Sequence, residues 1–506
     1  MRVFINVRSF NHWAEIVIIV CLLLTGISGC MVGPDFQSPD APAVKSYTSE
    51  PLPNSTAESS GPAGASQRFI AGGDIPGLWW QLFHSEELNA LIQQAFNDNP
   101  SLALAKARLR QAQENRNARF GYLLPAADVA AGVSRQKISG DATGQGDIDI
   151  PAFNLINASV TVSYTLDVFG GFRRQLEAAQ AQIDYERFQL KGAYQILSAN
   201  IVTTAVQEAS LRLQIQTTHE LVALEEEQLD IIRKRFNLGG VSQSDILTQR
   251  ALLAQTRSTL PPLEKDLSLT RHQLAILTGK LPGEVTLAQI NLDTMRLPEE
   301  LPVSLPSQLV RQRPDVGAAD ALLHAACAQV GVATANLYPA ITLSASYGTA
   351  SSTVSDLFSG STTVWNLSAG LLQPVFHGGT LTAERRAAIA FYDQAMAAYR
   401  DTILNAFSNV ADVLRSLEAD ARALQTQAEA TQAARESLDL TRKQFEAGAV
   451  SYLNLLVAQQ QYGEARILLT RARAARFADT AALYPALGGG WWNEDQTPKR
   501  KNEKEN

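Results

Sequence analysis

The chain has 506 residues, 45% of them apolar, and a formal net charge of −7. That mild acidity offers no basic surface for nucleic acid. Three cysteines and six scattered histidines leave no disulfide framework and no cysteine- or histidine-based metal cluster.

The amino terminus reads as a secretory signal: Arg2 and Arg8, then the apolar run Ile16–Leu24, then small residues. It ends at Ile27-Ser28-Gly29-Cys30. Beyond it no apolar run of roughly 18 residues is expected, and so no membrane helix in the mature chain. Residues 31–75, rich in Pro, Ser, Gly and Ala, read as an extended tether. A helix is predicted over Glu86–Phe120. Strands follow at Ala127–Gln136 and Ala158–Leu166, with a Gly/Asp-rich surface loop, Gly140 to Asp147, between them. Gly171 to Asn237 contains no Pro and one internal Gly, Gly192. It predicts a helix spanning roughly 100 Å. Leu176, Ile183, Leu190 and Leu197 give it a seven-residue seam for a neighbouring helix.

A Gly-containing turn comes next, then a helix over Gln243–Leu277. The same order then returns: a helix over Gln308–Asn336, strands at Ile341–Gly348 and Trp365–Leu372, a long helix from about Gly379 to Ala447, a turn, and a helix over Leu453–Leu483. Ile389, Met396, Ile403, Val410, Leu417 and Leu424 repeat the seam. The segment Arg233 to Leu247 recurs as Arg442 to Leu456, sharing Phe236/Phe445, Gly239/Gly448, Val241/Val450 and Leu247/Leu456. Pro100 recurs as Pro314, Pro125 as Pro339, and Val168-Phe169 as Val375-Phe376. A period of about 210 residues is far too long for a solenoid and implies two homologous halves.

The strands alternate apolar and polar residues, as in Val160, Val162, Tyr164 against Thr161, Ser163, Thr165. A half-exposed soluble sheet would show this pattern, and so would a transmembrane barrel. Four strands cannot close a barrel, for which about eight is the minimum. An open edge cannot stand in lipid. In a membrane the barrel is therefore shared: a dimer gives eight strands, a trimer twelve, a tetramer sixteen. No H-E-x-x-H, G-x-S-x-G or dinucleotide fingerprint occurs, and Gly279-Lys280 is followed by Leu281, so no enzyme is expected. Cys327, alone in an Ala-rich helix, reads as inert packing.

Taken together, the chain resembles the TolC-type outer membrane factor family, in particular its lipoprotein branch, the NodT/OprM-like channels. The resemblance covers nearly the whole mature chain. It is carried by Gly29-Cys30, Val32-Gly33-Pro34-Asp35-Phe36, Trp79-Trp80, Phe83, Leu88 and Asn99-Pro100. Tyr122 to Pro125, Leu337 to Pro339, Asp167 to Gly170, the twin turns and Ala486 to Trp491 complete it. It implies an α+β membrane protein, internally duplicated and homotrimeric. Each protomer would give four β-strands to a trimeric 12-stranded outer-membrane β-barrel, with a long periplasmic α-helical barrel below. It further implies the exit duct of a tripartite efflux system for drugs or other small solutes. The partners would be a periplasmic adaptor (a membrane fusion protein), an inner-membrane transporter of the RND type, and outer-membrane lipid. Cys30 would carry the covalent lipid, with no other cofactor.

On this resemblance residues 1–29 are the signal peptide, 30–80 a lipidated tether, 81–300 and 301–490 the two repeats, and 491–506 a charged tail. The periplasmic gate would comprise Asp245, Leu453, Asn454 and Val457. Adaptor docking would use Phe236, Gly239, Val241, Phe445, Gly448 and Val450. The family often has aspartates where this chain has Asn454 and Val457, which weakens the expected acidic ring. Asp245 reads equally as a helix cap or first-turn dipole partner. A type I protein-secretion duct, and a periplasmic coiled-coil adaptor or scaffold lipoprotein, remain as alternatives at this stage.

Overall fold

The computed structural model describes residues 31–137, 151–284 and 289–496. The signal segment, Cys30 and the Gly140 to Asp147 loop lie outside them. The first repeat comprises α1 (Glu86–Asp98), α2 (Pro100–Gly121), β2 (Ala126–Gln136), β3 (Phe153–Leu166), α3 (Gly171–Asn237), α4 (Gln243–Ser258) and α5 (Leu260–Leu277), preceded by β1 (Arg68–Ala71). The second comprises β4 (Glu300–Val303), α6 (Pro306–Gln312), α7 (Pro314–Ala335), β5 (Ala340–Ser351), β6 (Thr363–Leu372), α8 (Thr380–Glu446) and α9 (Tyr452–Ala486).

Three of the shorter helices expected to be continuous are broken. The breaks fall at Asn99, Thr259 and Arg313, each followed directly or closely by proline. Proline lacks an N–H and crowds the preceding turn, so the chain ends one helix and starts another. At the first break Asn99 caps α2, its Oδ1 accepting from the Ser101 N–H at 2.8 Å. Its amide nitrogen donates to the Leu277 carbonyl at 2.9 Å.

The chain divides into two compact units. The first takes residues up to Pro39, Leu109–Glu186 and Ala319–Tyr399. Its four-stranded antiparallel sheet has the order β2-β3-β5-β6. The register aligns Val129, Val160, Tyr347 and Trp365 in one row and Asp128, Thr161, Ser346 and Asn366 in the next. A one-residue slip would exchange the two faces, so alternation fixes the pairing. Among the described residues no layer covers the apolar face: Val129 is 81% exposed and Trp365 74%.

In the same unit the segment expected to be a free tether begins as a docked strap. The buried Arg174 donates to the Val32 carbonyl at 3.2 Å and the Gly33 carbonyl at 3.3 Å. It also meets the Asp35 and Glu177 carboxylates, each at 2.8 Å. The Phe36 ring stacks on His324 at 4.4 Å. Gly33, at φ +94°, crosses Gly331 so closely that a Cβ would lie 2.5 Å from its Cα. Only glycine satisfies both conditions. Helix α7 is long and apolar enough to cross a bilayer, yet much of it is buried within the chain, with Leu323, Ala326 and Ala328 fully covered. Cys327 is buried beside the Pro34 carbonyl, as its packing role required.

The second unit takes Asp40–Arg108, Arg187–Ala318 and residues from Arg400 onward. Here β1 pairs in parallel with β4. Trp79 stacks on Tyr484 at 4.9 Å, beside Phe83 and Phe477. The rest of the expected tether is also held. The fully buried Arg476 donates to Thr56 Oγ1 at 3.0 Å and to the Ala65 carbonyl at 2.7 Å. A buried guanidinium demands such acceptors, and the passing segment supplies one from a side chain and one from its backbone. The expected tail is likewise anchored at its start: Trp491 Nε1 donates to the Gln312 carbonyl at 2.8 Å. Residues 497–506 lie outside the described chain.

Beside Arg476, burial and the neighbouring Asp479 push the Asp420 carboxyl up to about 6, against the opposing pull of Arg476. The native state then holds this proton more tightly than the unfolded chain, where the carboxyl titrates near 3.8. Stability from this group is full below about pH 4 and lost as pH rises through about 6. Thermal melts between pH 4 and 7 should show that decline, and Asp420→Asn should flatten it.

Candidate gate at the helical tips

Both long helices end in the same backbone device. The Gly240 N–H reaches back to the Arg235 carbonyl and the Gly239 N–H to the Phe236 carbonyl, each at 2.9 Å. In the second repeat Ala449 reaches Gln444 at 2.9 Å and Gly448 reaches Phe445 at 3.0 Å. Gly239 and Gly448 stand at φ +77° and +73° with nothing near a would-be Cβ. The left-handed backbone alone therefore demands glycine. These two residues shape the turns rather than offering side chains to a partner.

The next helices start differently. Ser242 and Asp245 form a reciprocal cap on α4: Asp245 Oδ2 accepts from the Ser242 N–H and Oγ–H, both at 2.8 Å, and the Asp245 N–H donates to Ser242 Oγ at 3.3 Å. The N-cap itself is Ser242; Asp245 stands in the first turn as its reciprocal partner. At the start of α9, Ser451 Oγ donates to Asn454 Oδ1 at 2.5 Å. The neutral amide keeps the contact but brings no charge to the helix start.

Behind the turns, Ile232, Leu438, Tyr452, Leu455, Leu456 and Ala458 form a buried cluster joining α3, α8 and α9. Val241 and Phe445 pack against it, together with Ile246 and Leu252 of α4. Two of the expected docking residues therefore turn inward, while Phe236 remains at the surface. The Arg235 guanidinium lies 4.6 Å from the Phe445 ring centre, so the two turns are also bridged through a cation–π contact.

One polar chain crosses this core. The Tyr452 hydroxyl donates to Gln249 Oε1 at 2.5 Å. The fully buried Gln249 donates onward to the Glu225 carbonyl at 2.9 Å, and Thr256 Oγ1 donates to the Glu225 carboxylate at 2.9 Å. Burial raises the Glu225 carboxyl above its ordinary range. Burial, then the charges of Glu225 and Asp245, raise the Tyr452 phenol. The sequence motifs missed this chain. Its one local signal is heptad spacing: Glu225 lies four and seven residues before the buried Leu229 and Ile232, whereas Glu226 and Glu227 do not.

The other gate residues share one surface. Leu453 is 60% exposed and Val457 45% exposed, with Asn454 beside them, opposite the buried Tyr452, Leu455 and Leu456. Asp245 sits half-buried at the start of α4. Tyr452→Phe removes the donor to Gln249 and leaves a buried amide oxygen unpartnered, at a cost of about 1–3 kcal/mol. Amide hydrogen exchange around residues 225–232 should accelerate in this variant, with the sheet strands unchanged.

A sequence model of the outer membrane efflux protein family matches residues 91–280 and 305–489, once in each repeat. The pyoverdine export outer membrane protein OpmQ of Pseudomonas aeruginosa is 33% identical over 455 residues, covering 88% of this chain and 94% of its own. The toluene efflux pump outer membrane protein TtgC of Pseudomonas putida is 28% identical, covering 92% and 94%. Among solved structures, the outer-membrane channel OprN aligns with a TM-score of 0.81 at 27% identity, over 91% of this chain and 100% of its own. The open state of the Neisseria gonorrhoeae MtrE outer membrane channel aligns with a TM-score of 0.79 at 25% identity, over 92% and 100%. A match over both repeats, including the four strands of the sheet, removes the coiled-coil adaptor or scaffold alternative. The chain belongs to the outer membrane efflux protein family and is an efflux channel of the outer membrane.

Proposed function

We propose that this chain forms the passive exit duct of a tripartite system and carries small solutes outward. The observation behind this is the sheet: one uncovered apolar face, one polar face and two unpaired edges. Such a sheet becomes stable in lipid only when copies close it into a barrel with the polar face inward. Three copies give the twelve strands that the family resemblance implies. A periplasmic adaptor and an inner-membrane transporter of the RND type supply capture and energy. Relatives named for export of pyoverdine, toluene and cations support small solutes over secreted proteins. Cys30 carries the lipid, and several acyl chains at about 0.8 kcal/mol per buried CH₂ hold the amino terminus in the membrane.

The gate lies at the tips. Leu453 and Val457, repeated around the axis, form an apolar constriction that excludes water, and Asp245 supplies the acidic charge nearby. Leu453→Ser should raise single-channel conductance in planar bilayers several-fold, and Leu453→Ser with Asp245→Ala more. Unchanged conductance in both would reject the gate assignment. Cys30→Ser should abolish labelling with radioactive palmitate while the protein still fractionates with outer membranes.

A further inference from the structure

Behind the tip cluster, α3, α8 and α9 enclose a cavity of about 360 Å³. Its walls are held by close packing and hydrogen bonds. Thr431 Oγ1 and Gln427 Nε2 of α8 donate to the Ala465 carbonyl of α9 at 3.1 and 3.3 Å. Where α9 meets α3, a Cβ on Gly463 would lie 2.6 Å from a methyl of Leu221, so the two helices approach closely there. Gln249 holds the Glu225 carbonyl in place on the α3 side, at 2.9 Å.

Two side chains that line this cavity carry unsatisfied buried atoms. Gln459 is 6% exposed, and neither its amide oxygen nor its amide nitrogen has a hydrogen-bond partner. Glu225 is 7% exposed; Thr256 donates to one carboxylate oxygen, and the other, Oε2, has no partner. Protein interiors rarely leave such groups unpaired, because each gives up its hydration for nothing in return. Three such atoms at one cavity point to a ligand that supplies their partners.

The rim adds charge. Arg435, Asp439 and Arg442 follow one another at one-turn spacing on α8, all exposed. Among the described residues none of the three has an ion-pair partner. The remaining arginine, Arg466, is already held by Glu220 at 2.8 Å. Leu438 and Tyr462 supply apolar wall between the rim and the buried amide.

We propose that this cavity binds a small zwitterion bearing a carboxamide, for which glutamine is the simplest probe. The ligand's amide oxygen accepts from Gln459 Nε2, and its amide nitrogen donates to Gln459 Oε1 and Glu225 Oε2. Its carboxylate meets Arg435 and Arg442, whose guanidinium forks suit that group. Its ammonium meets Asp439, and its methylene stem lies along Leu438 and Tyr462. Every unpaired group of the cavity thus gains a partner of complementary kind. A dicarboxylate is rejected, since its second carboxylate would crowd Glu225 and offer no donor to it. The site lies within one chain, so it does not depend on how copies assemble. It joins helices of both repeats, so an occupant ties the two tips together.

Calorimetric titration of the full-length protein in detergent with L-glutamine tests this. One saturable site per chain is expected, with L-glutamate weaker by about tenfold or more, the consequence of a lost buried partner. Gln459→Leu should remove binding without lowering the melting temperature, because it deletes two unpaired buried atoms. Arg435→Ala combined with Arg442→Ala, both on the exposed rim, should weaken binding about tenfold with melting unchanged. Bound glutamine should slow amide exchange over residues 221–225 and 455–463 and leave the sheet strands as they were. An absence of saturable binding would leave water as the occupant and overturn the site. Equal affinity for glutamine and glutamate would overturn the carboxamide assignment. Undiminished binding in Gln459→Leu or in the rim double variant would put the ligand elsewhere and overturn the proposal.

Discussion

A backbone amide or carbonyl in lipid has no water to turn to, so every strand in a membrane must have a neighbour on both sides. The rest of this protein follows from that constraint. Four strands with two free edges are incomplete alone. The chain therefore depends on other copies of itself, and the rest of the chain must be repeated with the sheet. The duplication carries the rule inside the chain: β3 and β5 join two halves much as whole copies would join.

The second unit answers a different constraint. Long solvated helices gain little from propensity alone and must be held by lateral contacts. At the tips that hold is a small apolar cluster threaded by a polar chain, Tyr452 to Gln249 to Glu225. Such a chain is directional and costly to leave unpaired at one atom, whereas a broad apolar seam spreads its contribution over many contacts. The left-handed glycines place the turns, the Ser242–Asp245 cap begins the returning helix, and the exposed Leu453 and Val457 face away from the core. The proposed constriction and the buried cluster thus use opposite faces of the first turns of α9.

Much of this was legible in the sequence, for physical reasons. Period-two alternation at Val160 to Tyr164 announces a two-faced strand. The absence of breakers from Gly171 to Asn237 announces one long helix, which the structure shows over that same span. Asn99-Pro100 and Arg313-Pro314 also carried their breaks openly, since proline disfavours the helical conformation at the preceding residue. What local reading does not reach is long-range pairing. Arg174 with Val32 and Asp35, Arg476 with Thr56, and Tyr452 with Gln249 join residues far apart in the chain. A Pro- and Ser-rich segment looks like a tether until a buried guanidinium elsewhere takes hold of it. Asp245 shows the same limit in reverse: its capping role is written locally as Ser-x-x-Asp, while any role in a ring depends on other copies.

The central claim is that the sheet is one share of a barrel made from identical chains. Native mass spectrometry of the detergent-released protein counts those chains directly. A single species of three copies is expected, each carrying the added mass of its lipid. A species of one copy with its sheet intact would contradict it.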